Sequence, residues 1–458
     1  MDKEVLQNNN VSSDQLKTGR LLGYGIGDLG YSLVWILTST FLSYYYTDSV
    51  GIAAGAVGTL LLLTRVLDGI SDIAMGIVID RTKSKHGKAR PWIFRMALPL
   101  GISTVLLFSV PSGLSTGGKI VFAAATYVLM NLIYTAANIP YNTLLALITQ
   151  NQYSRSLANI FRMFFAIGAS IIASSATIPL VKAFGGGQSA WATVAVLYSI
   201  VMIVILFFLF RYTKEVVGNA GEVKDNVPLK VGIKALFSNK YWLLMLLIGV
   251  FTYIGSGLQG AGIYYAQYIL GNSSYLGIIS TAGLLPVLIG MLFIAPLIKK
   301  FGKRNIAIFG GLLGLVGNII KLTNPNSLTC FIIGSVVSGF GGVPLTAVLY
   351  AMVNDTVEYG EWKSGVRTEG LVNSAASFGI KVGTGLGTAM LGWLLQLGGY
   401  VGGAATQSHL ANSMILALNI YIPMVIGIIT LIFLWMYKLD KKYPVILEDL
   451  KQRKSSIS

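Results

Sequence analysis

Apolar runs of about 20 residues or more recur along most of the chain, each bounded by a short polar or basic stretch. That length and spacing predict helices that cross a bilayer, not the two-residue alternation of half-buried strands. The runs fall at residues 21–47, 53–79, 92–111, 119–148, 158–182 and 191–211, and again at 241–269, 276–298, 304–322, 328–353, 368–396 and 411–437. Between the sixth and seventh lies the longest polar segment, 212–240, with Glu215, Gly218, Gly221, Glu222, Asp225 and Pro228. The expected fold class is an all-α polytopic membrane protein of twelve transmembrane helices in two six-helix bundles. Residues 1–211 form the N-terminal bundle, 212–240 a cytoplasmic linker, and 241–458 the C-terminal bundle, closing from Tyr437 in a short solvated tail.

Composition agrees, because 54% of the 458 residues are hydrophobic and only 11% charged, with a mean hydropathy of +0.69. Charge placement then tests the span count independently. Arg81, Lys83, Lys85, Lys88 and Arg90 follow the second run and Arg155 the fourth; Arg211, Lys214, Lys224, Lys230, Lys234 and Lys240 bracket the linker. Lys299, Lys300, Lys303 and Arg304 follow the eighth run, and Lys363 and Arg367 the tenth, whereas the opposite loops carry only Lys119, Lys182 and Lys321. Basic residues collect on cytoplasmic loops, so both termini and the linker are expected in the cytoplasm, with the chain multi-pass in the plasma or inner membrane. The net charge of +16 is thereby explained as orientation against anionic lipid, and no nucleic-acid partner is implied. The first twenty residues lack the apolar core of a cleavable signal, so the first span is expected to serve as its own insertion signal. The single Cys330 cannot form an internal disulfide. An internal echo adds to this: GIVIDRTKSKHGKARPW (Gly76–Trp92) after the second run and APLIKKFGKRNIAIFGG (Ala295–Gly311) after the eighth occupy the same place in each half, as a duplicated half would give.

Charged residues inside the spans are the candidate chemistry. Arg65, Asp68 and Asp72 stand at i, i+3 and i+7, so a helix turns all three onto one face. A charge at that depth costs about 2.5–3.5 kcal/mol on insertion scales, and such groups normally face a water-filled cavity on an ion or proton path. Two carboxylates one turn apart can share a proton or offer hard oxygen ligands to a small cation. Arg65 favours the ionised form of one, desolvation the protonated form of the other. The alternative is an ion-pair cluster that only sets helix packing. Asp28, among glycines 23, 25, 27 and 30, is either a ligand contact or a helix-packing residue. A small-molecule site combines an aromatic face with fixed polar groups; Tyr31, Tyr134 and Tyr141 are candidates for the face, and Arg162 and Lys381 for the polar partners. Lys381, within GIKVGTGLG, is alternatively a counter-ion for Asp68 or Asp72. Asp80 and Arg81 after the second span, and Asp355, Glu358, Glu361 and Arg367 after the tenth, are expected to gate by pairing across the halves. The only histidines, His86 and His409, lie far apart, and no nucleophile stands beside a base, so an enzyme is not indicated.

Four segments carry a resemblance over essentially the whole chain: YGIGDLGYSLVWILTSTFLSYYYTDSVG (Tyr24–Gly51), LLLTRVLDGISDIAMG (Leu61–Gly76), TAANIPYN (Thr135–Asn142) and DTVEYGEWKSGVRTEG (Asp355–Gly370). They resemble the glycoside-pentoside-hexuronide:cation symporters, the melibiose-permease-like family. The resemblance implies a major-facilitator-type fold and sugar uptake driven by a proton, sodium or lithium gradient. It further implies cation binding at Asp68, Ser71 and Asp72, with a hydroxyl from Thr135. Ser71 departs from the best-known member, which has an amide there; the shorter ligand favours H+ over Na+ as coupling ion. Ser32 and Asn138 fall where that member has sugar-binding aspartates, so its galactoside specificity does not carry over, although the Asn138 amide can still hydrogen-bond sugar hydroxyls. Arg162 lies about one residue from the family arginine, and Lys381 where the family has a cavity-lining lysine. Two cations near the site suit a hexuronide carboxylate. The expectation is a proton-coupled symporter of a glycoside, pentoside or hexuronide working by alternating access, with no cofactor or metal. Its partners are a small-molecule sugar, the coupling cation and membrane lipid, and the protein works as a monomer. Sodium coupling, a membrane sugar sensor and another major-facilitator carrier without symport are the alternatives.

Overall fold

The computed structural model describes residues 18–149, 151–216, 229–366 and 368–455. Most of these residues are helical, and no strand occurs among them. The chain divides into two compact units, Met1–Glu222 with Val401–Ala405, and Val223–Tyr400 with Thr406–Ser458. In the first unit α1 is Thr18–Ser49, α2 Ala54–Arg81, α3 Arg90–Leu107, α4 Thr116–Ile148, α5 Gln152–Ala183 and α6 Gly187–Tyr212. In the second, α7 is Leu229–Phe237, α8 Lys240–Ile269, α9 Tyr275–Phe301, α10 Lys303–Thr323, α11 Leu328–Ser364 and α12 Glu369–Leu397. There α13 spans 409–436 and α14 is Leu439–Ser455. Ten helices among the described residues are long and apolar enough to cross a membrane. Outside that set, α2 carries Arg65, Asp68 and Asp72 in mid-helix, and α3 carries Arg90 and Arg95.

Side chains just outside the helices set where several begin. Ser115, Asn151, Asn239, Ser327 and Ser408 each accept the third N–H beyond themselves, starting α4, α5, α8, α11 and α13. No such local cap starts α3. Instead the Glu215 carboxylate, beyond the end of α6, accepts the backbone N–H groups of Lys88, Ala89 and Arg90 at 2.7, 2.9 and 3.0 Å. Arg90 in return donates to the carbonyl of Phe210 on α6. The second unit repeats the device: Asp440, beyond the end of α13, accepts the Arg304 N–H at 2.8 Å, and the Arg304 guanidinium donates to the carbonyls of Leu434 and Trp435. Helix ends echo each other too. The last residues of α1, Tyr45–Ser49, and of α8, Tyr265–Ile269, both widen into a π-helical turn. Each is stopped by a glycine with positive φ, Gly51 at 79° and Gly271 at 77°, a conformation that a side chain would strain.

Glycine decides how closely the helices pack. On α1, Gly25, Gly27 and Gly30 leave room for Phe161 of α5, Tyr141 of α4 and Ile205 of α6, so the glycine-rich stretch around Asp28 is a packing face. On α10 and α11 a methyl at Gly310, Gly317 or Gly341 would run into the carbonyl of Gly341, Gly334 or Gly310, so these two backbones are nearly in contact.

Three departures from the sequence pattern have physical causes. The solvated tail expected from Tyr437 folds as α14, because Leu439, Ile446 and Leu450, at i, i+7 and i+11, form one stripe buried in the second unit's core. The Asp449 carboxylate accepts the Trp362 indole N–H at 2.9 Å. Past residue 353, α11 continues to Ser364, since Thr356, Val357, Tyr359 and Gly360 stay buried, Val357 and Tyr359 within the second unit's core. Within the 212–240 linker, residues 229–237 form α7.

Candidate functional site

Asp68 and Asp72 belong to α2, and the helical repeat brings both onto the face that packs on α4. Arg65 Nη1 donates to Asp68 Oδ2 at 3.1 Å, and Asp68 is 8% exposed. Its guanidinium lies 4.9 Å from the centre of the Trp35 ring of α1. From α4, the Thr135 hydroxyl donates to Asp72 Oδ1 at 3.1 Å. Ser71 Oγ stands 3.0 Å from the Asp68 carbonyl and 3.4 Å from Thr135 Oγ1, one hydroxyl hydrogen facing two acceptors. The structure therefore brings Arg65, Asp68, Ser71, Asp72 and Thr135 together across two helices. Two carboxylates and two hydroxyls there form a set of oxygen atoms suited to a proton or a small hard cation.

A second ion pair lies in the same unit. Arg162 of α5 grips Asp28 of α1 through Nε to Oδ2 at 2.6 Å and Nη2 to Oδ1 at 3.4 Å. The same guanidinium donates to Asn142 Oδ1 at 2.8 Å, and Asn142 donates to Asn138 Oδ1 at 2.9 Å. Arg162 Nη1 also reaches the Tyr24 hydroxyl, and its guanidinium lies 4.7 Å from the Tyr141 ring centre. Asp28 and Arg162 are thus each other's partners, and Asn138 is tied to them through Asn142.

An aromatic column joins the two pairs. Tyr24 stacks on Tyr141 at 5.0 Å, Tyr141 meets Tyr31 at 5.1 Å, Tyr31 meets Tyr134 edge-on at 6.0 Å, and Tyr134 meets Trp35 at 5.4 Å, beneath Arg65. Tyr31 is 1% exposed and donates to the Ala137 carbonyl; Tyr141 is fully buried and donates to the Tyr24 carbonyl. Neither presents an open ring face in this conformation, since Tyr31 packs against Tyr134 and Tyr141 of α4, and Tyr141 lies against Gly27 of α1. Tyr134 and Ser32 are half-buried. Trp35, Tyr24 and Asn142 went unread in the sequence. The signal was present, since Tyr24, Asp28, Tyr31 and Trp35 at i, i+4, i+7 and i+11 share one face of α1, as Tyr134, Asn138 and Tyr141 share one of α4.

In the second unit Lys381 is a half-buried residue of α12, whose Gly379, Gly383 and Gly387 pack on α8. Asp355, expected to pair across the halves, is 6% exposed and pairs with Lys303 of α10 in its own unit, because Asp355 and Lys303 sit where α10 and α11 pack. Glu358 and Glu361 are half-buried on α11, and Arg81 is exposed at the end of α2. Asp80 lies on α2, and Arg367 lies outside the described residues.

The family model described as MFS/sugar transport protein matches residues 23–441. The isoprimeverose transporter of Lactiplantibacillus pentosus is 35% identical over 443 residues, which cover 94% of this chain and 90% of that protein. The putative glycoside/cation symporter YagG of Escherichia coli (strain K12) is 30% identical over 454 residues, covering 96% of each. Among solved structures, a bacterial homologue of the human lysosomal transporter Spinster superposes with a TM-score of 0.64 at 14% identity, over 94% of this chain and 97% of that one, a likeness of fold alone.

Proposed function

The chain belongs to the MFS/sugar transport protein family, within the glycoside-pentoside-hexuronide:cation symporters, and from that premise we propose that it couples sugar uptake to proton entry. The family is one of membrane transporters, not enzymes, so the coarser statement holds plainly: this is an all-helical, multi-pass sugar carrier of the major facilitator type. Coupling is carried by one observation, the oxygen set of Asp68, Ser71, Asp72 and Thr135 beside the Arg65 guanidinium. A carboxylate in such a set can take up a proton on one side of the membrane and release it on the other. The Ser71 hydroxyl supports a proton over sodium, being a shorter ligand than an amide.

The remaining parts of the reading follow the same premise. Twelve crossings in two six-helix bundles, both termini cytoplasmic and a monomer as the working unit accord with the charge distribution and the repeated devices of the two units. A glycoside, pentoside or hexuronide as substrate accords with the names of the relatives. Asp28, Arg162, Asn138, Ser32 and Tyr134 are the sugar-side groups, and Lys381 is the second cation for a uronate carboxylate.

Counterflow and uphill uptake of labelled glycosides in vesicles, under imposed pH and sodium gradients in turn, test this. Asp68→Asn/Asp72→Asn is expected to abolish accumulation driven by a pH gradient while sparing exchange without a gradient, and Lys381→Gln to lower uronate uptake more than neutral glycoside uptake. Uphill accumulation intact in the double variant would refute the proton site, and dependence on sodium alone would move the coupling to that ion.

A further inference from the structure

The segment α7 has the sequence LKVGIKALF and runs directly into α8, so it sits at the end of a membrane span. Along it and the turn that follows, Val231, Lys234, Ala235 and Ser238 recur at i, i+3, i+4 and i+7 and form one stripe. Facing them at the end of α11 are Gly360, Lys363 and Ser364, again at i, i+3 and i+4. The two stripes enclose a cavity of about 260 Å³ whose lining, among the described residues, includes two lysines and no acid. Lys363 Nζ donates to the Ser238 carbonyl at 2.8 Å, which leaves two of its three N–H groups for a ligand. Lys234 has no side-chain partner among the described residues. Two positive charges thus share one cavity with no carboxylate among its described lining residues, and the ligand they fit is an anion with several acceptor oxygens.

The rest of α7 says where that anion comes from. Ile233 and Phe237, one turn apart, are 40% and 61% exposed, and Val231 at the cavity mouth is 47% exposed. Lysines beside exposed apolar side chains, on a short helix at the end of a span, describe an element lying in the membrane interface. We propose that this cavity binds the phosphate of an anionic phospholipid, with the acyl chains running past Ile233 and Phe237. A lipid phosphate arrives at the level of the lysines with its chains already in the bilayer, whereas a free phosphate gains nothing from the apolar residues. The site shares no residue with the groups assigned to sugar and cation and rests only on the chain's place in a membrane.

Native mass spectrometry of the full chain, released from nanodiscs containing phosphatidylcholine with phosphatidylglycerol, is the test. Each juxtamembrane lysine contributes about fivefold to the binding of an anionic lipid. Retained phosphatidylglycerol is expected to fall about fivefold in Lys234→Gln and roughly twenty-five-fold in Lys234→Gln/Lys363→Gln and to recover in Lys234→Arg/Lys363→Arg, with phosphatidylcholine retention unchanged. Equal phosphatidylglycerol retention in all variants would overturn the proposal, and so would an equal loss of both lipids. Displacement of the lipid by inorganic phosphate alone would also overturn it, in favour of a soluble anion. Melting in lipid-free detergent identifies a misfolded double variant; Lys234→Gln, which removes no contact within the protein, then decides by itself.

Discussion

Arg162 holds Asp28 through two nitrogens, Asn142 through a third contact and the Tyr141 ring through its face. Only a planar guanidinium makes all of these at once, so lysine is not a substitute for it. Removing one partner of an enclosed ion pair leaves an uncompensated charge and costs about 3–5 kcal/mol, whereas removing both costs far less. Arg162→Gln is therefore expected to melt well below the wild type, and Asp28→Asn/Arg162→Gln to recover much of the loss, measured by thermal unfolding in detergent; a double variant no better than the single would sink the pairing as the cause. The sequence made Asp68, Asp72 and Arg162 legible as charges in apolar surroundings. It did not make the partner of Arg162 legible, because whether Asp28 meets Arg162 depends on Gly25 letting α5 approach α1.

At the scale of elements, one face of α1 and one of α4 build the aromatic column that ends at Arg65 and at Arg162. Trp35 is the last ring of that column and holds Arg65 beside Asp68, an arrangement worth about 0.5–2 kcal/mol. Trp35→Leu is expected to weaken the apparent affinity for the coupling ion severalfold, read as a shift in the pH dependence of uptake, with little change in melting temperature. An unchanged pH profile would make the ring a packing residue only. Helix existence was readable because each run exceeds bilayer length. The helix α14 was not, since its apolar stripe of Leu439, Ile446 and Leu450 is diluted by Lys441, Lys442, Glu448 and Asp449 and falls below the contrast of a span.

Across the whole molecule, a basic excess on alternate loops and matched segments after the second and eighth runs made a duplicated architecture readable. The structure carries that duplication into detail the sequence hides: an acid beyond the sixth helix of the first unit and another beyond α13 each cap the start of a helix far earlier in the chain, and no spacing rule links residues so distant. Glu215 meets three backbone N–H groups at the start of α3. During synthesis those donors are made long before Glu215 leaves the ribosome. The start of α3 thus gains its cap only after the last residues of the first unit have been made. Ribosome-bound chains ending before residue 215 are expected to be cut readily by protease within 82–89, and longer chains to resist. Glu215→Ala should keep the full-length protein in the sensitive state, so equal resistance of that variant would show that closure awaits something else.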